Sequence, residues 1–320
     1  MKTWLVALAA AAAAASAPAF AADTFPTRPI SLVSVFGAGS ASDTLCRVLA
    51  EPLGAALKQP VIVENRPGAD GALAATYVSR ANPDGYTLMM GTNSPLSADP
   101  FLLKDLSYDA VKDFAPVTRV GSFTLMLVIN PSIPVRSLKE LVAYAKANPG
   151  KLSFASGNTA GIVAGESIKH WAGIDMLHVP YKSTPPALED ILGGRVSMMF
   201  ADLTTAMPHV QAGTLRAITM TRIKRSSLFP ELPTMDEEGM TGFDLDAWAG
   251  IVAPARVPPE IIARLNGELR KIIDDPAIRK RLTNVGFEAF SSSPEELGAT
   301  IKVQLEKWGK MIADAGIQRR

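Results

Sequence analysis

The chain has 320 residues, with 32 Lys+Arg against 31 Asp+Glu and 48% hydrophobic residues, enough apolar material for about two domains. A net charge of +1 spread along the chain offers no basic stripe to a phosphate backbone, which argues against nucleic acid as a main partner. Twenty per cent charged residues and 24 scattered prolines leave no room for a long disordered tail.

Residues 1–21 read as a cleavable secretory signal peptide. Lys2 supplies the positive start, 4–15 is an apolar run, and Ala19-Phe20-Ala21 fits the small-x-small cleavage rule. The run is shorter than the ~18–20 residues needed to span a membrane, and Pro18 follows it. Cleavage after Ala21 would deliver the mature chain to the periplasm. Cys46 is the single cysteine, so no internal disulfide is possible. It falls in a helical pattern with Leu45, Leu49 and Leu53 and is expected in the core.

Downstream, short apolar runs alternate with amphipathic ones. Strands are expected over 30–36, 61–64 and 86–90, with helices over 42–57 and 70–80 between them, a βαβαβ order that places ligands at the carboxyl ends of its strands. A second α/β stretch follows. Its strands are expected over 125–129, 152–155, 176–179, 196–200 and 215–221, and its helices begin near 138, 162, 186 and 204, the first opened by the capping box Ser137-x-x-Glu140. After an extended run over 243–252, three helices follow Pro258, Pro276 and the Ser293-x-x-Glu296 box, with no further strand. A helical tail without a sheet of its own must return to the first lobe. The expected architecture is therefore α/β with two parallel-type sheets. Lobe 1 is built from 22–121 and 244–320 and lobe 2 from 122–243, with hinge crossings near 117–122 and 244–248.

Several segments, in order, resemble the tripartite tricarboxylate transporter receptor family, the Bug-type extracytoplasmic solute receptors. They are Pro26-x-Arg28-Pro29-Ile30, Val61-Ile-Val-Glu-Asn-Arg66, Asn82-Pro-Asp-Gly-Tyr-Thr-Leu88, Lys112-Asp-Phe-Ala-Pro116, His178-Val-Pro-Tyr-Lys182, Leu192-Gly-Gly-Arg195 and Pro233-Thr234. The resemblance implies a two-lobed, type II-like periplasmic binding protein that closes on a small carboxylate and delivers it to a membrane permease. The chain departs from the family pattern at Gly37-Ala38-Gly39-Ser40, at the loop of 156–161, which lacks the family's His, and at Ser183 after Tyr181-Lys182.

A carboxylate needs donors, and a helix N-terminus offers free N–H groups with a favourable dipole. The loop carrying Phe36, Gly39, Ser40, Ala41 and Ser42 joins a strand end to a helix start, and Ser156, Gly157, Asn158, Thr159 and Ala160 do the same in the second lobe. Asp43 reads as the helix N-cap rather than a ligand contact. Thr92, Asn93 and Asp202 follow further strand ends. An Asp202 facing the cleft would favour a ligand with an amino or hydroxyl donor, whereas an Asp202 capping the next helix would say nothing. Phe36 and Phe123 read as a cleft wall or as core.

Other chemistries find no residues. His170, His178 and His209 lack metal spacing, no G-x-S-x-G elbow occurs, and the Gly37-x-Gly39 pair with Glu64 puts Ser42 where a dinucleotide fingerprint needs glycine. A monomeric binding protein without cofactor or catalysis is expected. Its partner is a permease or, alternatively, a membrane sensor kinase.

Overall fold

The computed structural model describes residues 25–320; the expected signal peptide lies outside them. β1 (Ile30–Ser34) pairs in parallel with β2 (Val61–Asn65) on one side and β3 (Thr87–Thr92) on the other, setting Leu32 opposite Val63 and Leu88. Strand side chains alternate between faces. Leu32 and Leu88 accordingly pack with Leu45, Leu49 and Leu53 of α1 (Ala41–Leu57), while Val33 and Met89 pack with Ala74, Ala75 and Val78 of α2 (Ala72–Ser79) on the other face. Cys46 is fully buried in α1, and burial pushes its thiol pKa up. After β3 a π-turn over Ser94–Ala98 leads into the short α3 (Asp99–Leu102).

β4 (Phe114–Phe123) runs to the edge of this sheet, and Thr124 alone separates it from β5 (Leu125–Ile129), the first strand of the second sheet. Residues 117–122, expected as the first crossing, thus belong to a strand. The second lobe continues through α4 (Leu138–Ala147), β6 (Ser153–Ser156), α5 (Thr159–Ala172), β7 (Leu177–Pro180), α6 (Thr184–Leu192), β8 (Met198–Asp202), α7 (Leu203–Gln211) and β9 (Arg216–Met220). The chain then returns to β10 (Ala247–Pro254), α8 (Pro259–Asp274), α9 (Pro276–Asn284), β11 (Phe287–Ala289) and α10 (Pro294–Asp314).

The strand orders are β11-β4-β10-β3-β1-β2 and β7-β6-β8-β5-β9. Both sheets are mixed, which corrects the expectation of parallel-type sheets. The helix-connected trios β2-β1-β3 and β7-β6-β8 are parallel, but β10 lies antiparallel between β3 and β4, and β5 lies antiparallel between β8 and β9. Each reversed strand is the first one after a passage between sheets. It arrives without the crossover helix that a parallel neighbour requires.

The tail packs on the first sheet as expected, α8 against α1 and β4, and α10 against β4 and the π-turn. It is not purely helical, however, because β11 adds an edge strand to β4. Asn266 of α8 pins this return: its Nδ2 donates to the carbonyls of Val117 (2.7 Å) and Ser292 (2.9 Å). Ser293 and Glu296 form the full capping box that starts α10. With the sheets so joined, the carboxyl ends of β1, β3, β6 and β8 meet across one gap.

Candidate functional site in the cleft between the sheets

The gap is a narrow cleft, open to solvent at its mouth, with about 420 Å³ of space between atoms when that open solvent is counted. From lobe 1 it is walled by Phe36, Ser40, Ala41, Ser42, Thr92, Asn93 and Ser94, and from lobe 2 by Asn158, Ala160, Thr184 and Asp202. Its floor is Phe123, Leu125 and Ala247, where the chain passes between the sheets. Four helices, α1, α5, α6 and α7, point their N-terminal residues into it. Among the described residues no Lys, Arg or His lines the cleft, and Asp202 is the one ionisable side chain that does.

The first helical N–H groups have no partner within their own helix, so their fate decides what the cleft can bind. At α1 the cap is Ser40, not Asp43 as the sequence suggested. Ser40 Oγ accepts from Asp43 N (3.3 Å), and the Asp43 carboxylate reaches back to accept from Gly39 N (3.0 Å), Arg47 Nε (3.0 Å) and Asn65 Nδ2 (2.9 Å). Burial opposes charge on Asp43, but these bonds outweigh it and hold its pKa below the ordinary value. Ser40 N is spent on Gly37 O, which leaves the N–H groups of Ala41 and Ser42 unclaimed by described residues. At α5, Asn158 Oδ1 takes Gly161 N (2.9 Å) and Ser94 Oγ, from the opposite lobe, takes Thr159 N (3.3 Å). The N–H of Ala160 is left over.

The hydroxyls divide by lobe. Ser42 Oγ lies 3.0 Å from Ser34 Oγ, which is itself 3.2 Å from Phe36 O. If Ser34 donates to Phe36 O, Ser42 donates to Ser34. If Ser34 turns its proton to Ser42 instead, Ser42 is freed to donate into the cleft, and Phe36 O keeps Asn65 Nδ2 at 3.0 Å. Thr92 Oγ1 is buried with no partner. In lobe 2, Ser156 Oγ is held by His178 Nε2 at 2.7 Å, and Thr159 Oγ1 by Ser94 Oγ at 2.8 Å and Asn93 Nδ2 at 3.4 Å. His178, stacked on Phe154, has its pKa lowered by burial.

Most of the expected residues therefore meet at one cavity, but Gly39, Ser156, Gly157 and Thr159 are not on its wall. Gly39 holds the turn before α1 at φ +76°. Ser156 and Thr159 are turned away by the bonds just described. Gly157 makes room for protein, since a Cβ there would lie 2.4 Å from Thr184 N. Asp202 both lines the cleft and caps α7, its Oδ1 accepting from Thr205 N and Thr205 Oγ1, each at 3.0 Å. From sequence, Ser94 reads only as part of the polar strand end Gly91-Thr92-Asn93-Ser94, and Thr184, Leu125 and Ala247 are not singled out. Asn93-Ser94-Pro95 and Ser183-Thr184-Pro185 do carry a helix-start signal that could have found the first two.

Two α/β lobes joined by two passages, with helix N-termini facing a common cleft, define a periplasmic binding protein fold. BugD, a periplasmic binding protein, superposes with a TM-score of 0.89 at 33% identity, over 92% of this chain and 100% of its own. The match to the tripartite tricarboxylate transporter family receptor spans residues 45–317, and the chain belongs to that family. An UPF0065 protein of Bordetella bronchiseptica is 37% identical over 303 residues, 94% of this chain and 90% of its own. R. palustris Rpa4515, solved with adipate, superposes with a TM-score of 0.90 at 30% identity, covering 92% of this chain and 100% of that one. MatC from Rhodopseudomonas palustris, solved with bound malate, gives 0.85 at 29% identity over 90% and 100%.

Proposed function

We propose that this receptor binds a small carboxylic acid between its lobes in the periplasm and hands it to a tripartite tricarboxylate-type membrane permease, without catalysing a reaction on it. The single observation that carries this is the set of unclaimed donors. Ala41 and Ser42 N–H on one wall and Ala160 N–H on the other stand at helix N-termini, where partial positive charge favours an anion without a cationic side chain. Adipate and malate in the structures of two relatives support the ligand class. No helix among the described residues is long and apolar enough to cross a membrane. The lobes, 22–121 with 244–320 and 122–243, would open and close about the passages at 124 and 221–246.

A thermal-shift screen of di- and tricarboxylates, acidic amino acids and aromatic acids, with NAD as a control, tests the ligand class. A ligand at 100 times its Kd should stabilise the protein by about 2.7 kcal/mol. Stabilisation by NAD alone would replace this reading with a nucleotide-binding one. For the partner, loss of uptake of the stabilising acid on deleting the receptor gene is expected; uptake unchanged with a kinase response lost would favour the sensor role. Mass spectrometry of the periplasmic protein should find Ala22 at its N-terminus.

A further inference from the structure

We infer that Asp202 selects, among small carboxylic acids, those carrying a hydrogen-bond donor beside the carboxylate, a hydroxyl or an ammonium group. The inference rests on the carboxylate reading above and names the residue that narrows it. Asp202 is 5% exposed, lies on the cleft wall, and has no Lys, Arg or His within ion-pair distance among the described residues. Both bonds that Thr205 donates end on Oδ1, so Oδ2 receives no hydrogen bond from another described residue. A carboxylate oxygen on the cleft wall that loses its water when a ligand enters is costly to leave without a donor.

The hydroxyls, the amide side chains of Asn93 and Asn158 and the backbone N–H groups on the other walls make no bond to Oδ2, so the ligand is what can supply that donor. A plain carboxylate placed there adds a second negative group beside the first. A 2-hydroxy or 2-amino acid instead sets its carboxylate on the helix N-termini and turns its donor to Oδ2. Thr92 Oγ1, buried, unpartnered and on the opposite lobe, fits the same ligand from the other side but takes either a donor or an acceptor, so it adds affinity without choosing.

The test is a matched panel titrated by calorimetry: succinate, malate and aspartate at four carbons, and adipate, 2-hydroxyadipate and 2-aminoadipate at six. Wild type is expected to bind at least one donor-bearing member tenfold or more tightly than the plain acid of the same length. In Asp202→Asn the cap on α7 persists, because Asn caps as well as Asp. The amide then turns a donor into the cleft, and the preference should fall below threefold or reverse. Thr92→Val should weaken plain and donor-bearing acids alike and leave their ratio unchanged. Equal binding of plain and substituted acids by wild type, or an unchanged ratio in Asp202→Asn, overturns the assignment to Asp202. A ratio abolished by Thr92→Val and kept by Asp202→Asn moves selection to Thr92 and also overturns it. If no member binds, the carboxylate reading itself fails and takes the inference with it.

Discussion

The two loops that face each other across the cleft share a plan, a strand end with glycine and hydroxyl residues followed by a helix, yet they use it differently. In lobe 1, Ser40 caps α1 while Ser42 stands on the wall with a proton that Ser34 can release to the cleft. In lobe 2, Ser156 is bound by His178 behind it, and Thr159 is bound by Asn93 and Ser94 from the other lobe. One loop keeps a hydroxyl on the cleft wall; the other spends its hydroxyls on its own sheet and on the facing lobe, leaving backbone N–H and Asp202. What lies behind and across a loop, more than the loop's composition, decides where its hydroxyls point.

The largest expected effect separates the loops by their glycines. A Cβ at Gly157 would meet Thr184 N at 2.4 Å and Ser183 C at 2.5 Å, backbone atoms that cannot yield locally. Gly157→Val should cost about 3 kcal/mol of stability or more by overpacking. At Gly39 the nearest atom to a Cβ is Pro185 Cγ at 3.7 Å, so Gly39→Ala meets only the strain of φ +76°, about 1–2 kcal/mol. Urea melts of the two variants check the ranking. Equal losses would mean that Gly157 is not a packing glycine.

The hydroxyls give the next contrast. Ser42→Ala removes a donor to a charged group and should weaken acid binding roughly ten- to hundredfold, with little change in the unliganded melting temperature. Thr159→Ala touches no ligand directly. It removes an interlobe bond worth about 1 kcal/mol, so the closed state and the apparent affinity should fall about fivefold. Calorimetry on both variants would contradict the division if Thr159→Ala cost more than Ser42→Ala.

A third contrast concerns the buried acids. Asp202 accepts two bonds from Thr205, whereas both oxygens of Asp99 in lobe 1 are buried without a partner. Burial raises the Asp99 pKa well above its ordinary value, with Asp70 adding to the shift and Arg320 opposing it. A carboxyl whose folded pKa is raised stabilises most below its unfolded pKa near 3.8, and that contribution is lost as pH rises through the folded value. Asp99→Asn should therefore raise the melting temperature at neutral pH, with a gain that shrinks as pH falls toward 4. No gain at neutral pH would mean that Asp99 has a donor after all.

The smallest effect is at His178. Its lowered pKa keeps it neutral in the fold, so stability should slip slightly as pH falls below about 6.5, where the unfolded imidazole takes up a proton first. His178→Gln should flatten that slope.

Much of this was legible in the sequence. The βα alternation, the tail's return to the first lobe and the two strand-end loops followed from apolar spacing and from glycine, serine and asparagine punctuation. β4 was missed because Pro116, Arg119 and Gly121 interrupt its alternation and its partner, β10, lies about 130 residues away; their ladder slips register twice, at Ala249/Gly250 and Ile251/Val252. The short β11 forms only because β4 offers an edge, which no local pattern announces. The hydroxyl directions were hidden for the same reason. The partners Ser34, Ser94 and His178 sit on other elements, and Ser40 took the cap by a three-residue reach that Asp43 equally suggested.

Closure around the acid is the central claim, and small-angle X-ray scattering tests it most directly. At saturating concentration of the acid that raises the melting temperature most, the radius of gyration should fall relative to the unliganded protein as the lobes come together about the passages at 124 and 221–246. A radius that stays fixed while calorimetry shows the sites filled would contradict a ligand held between the lobes.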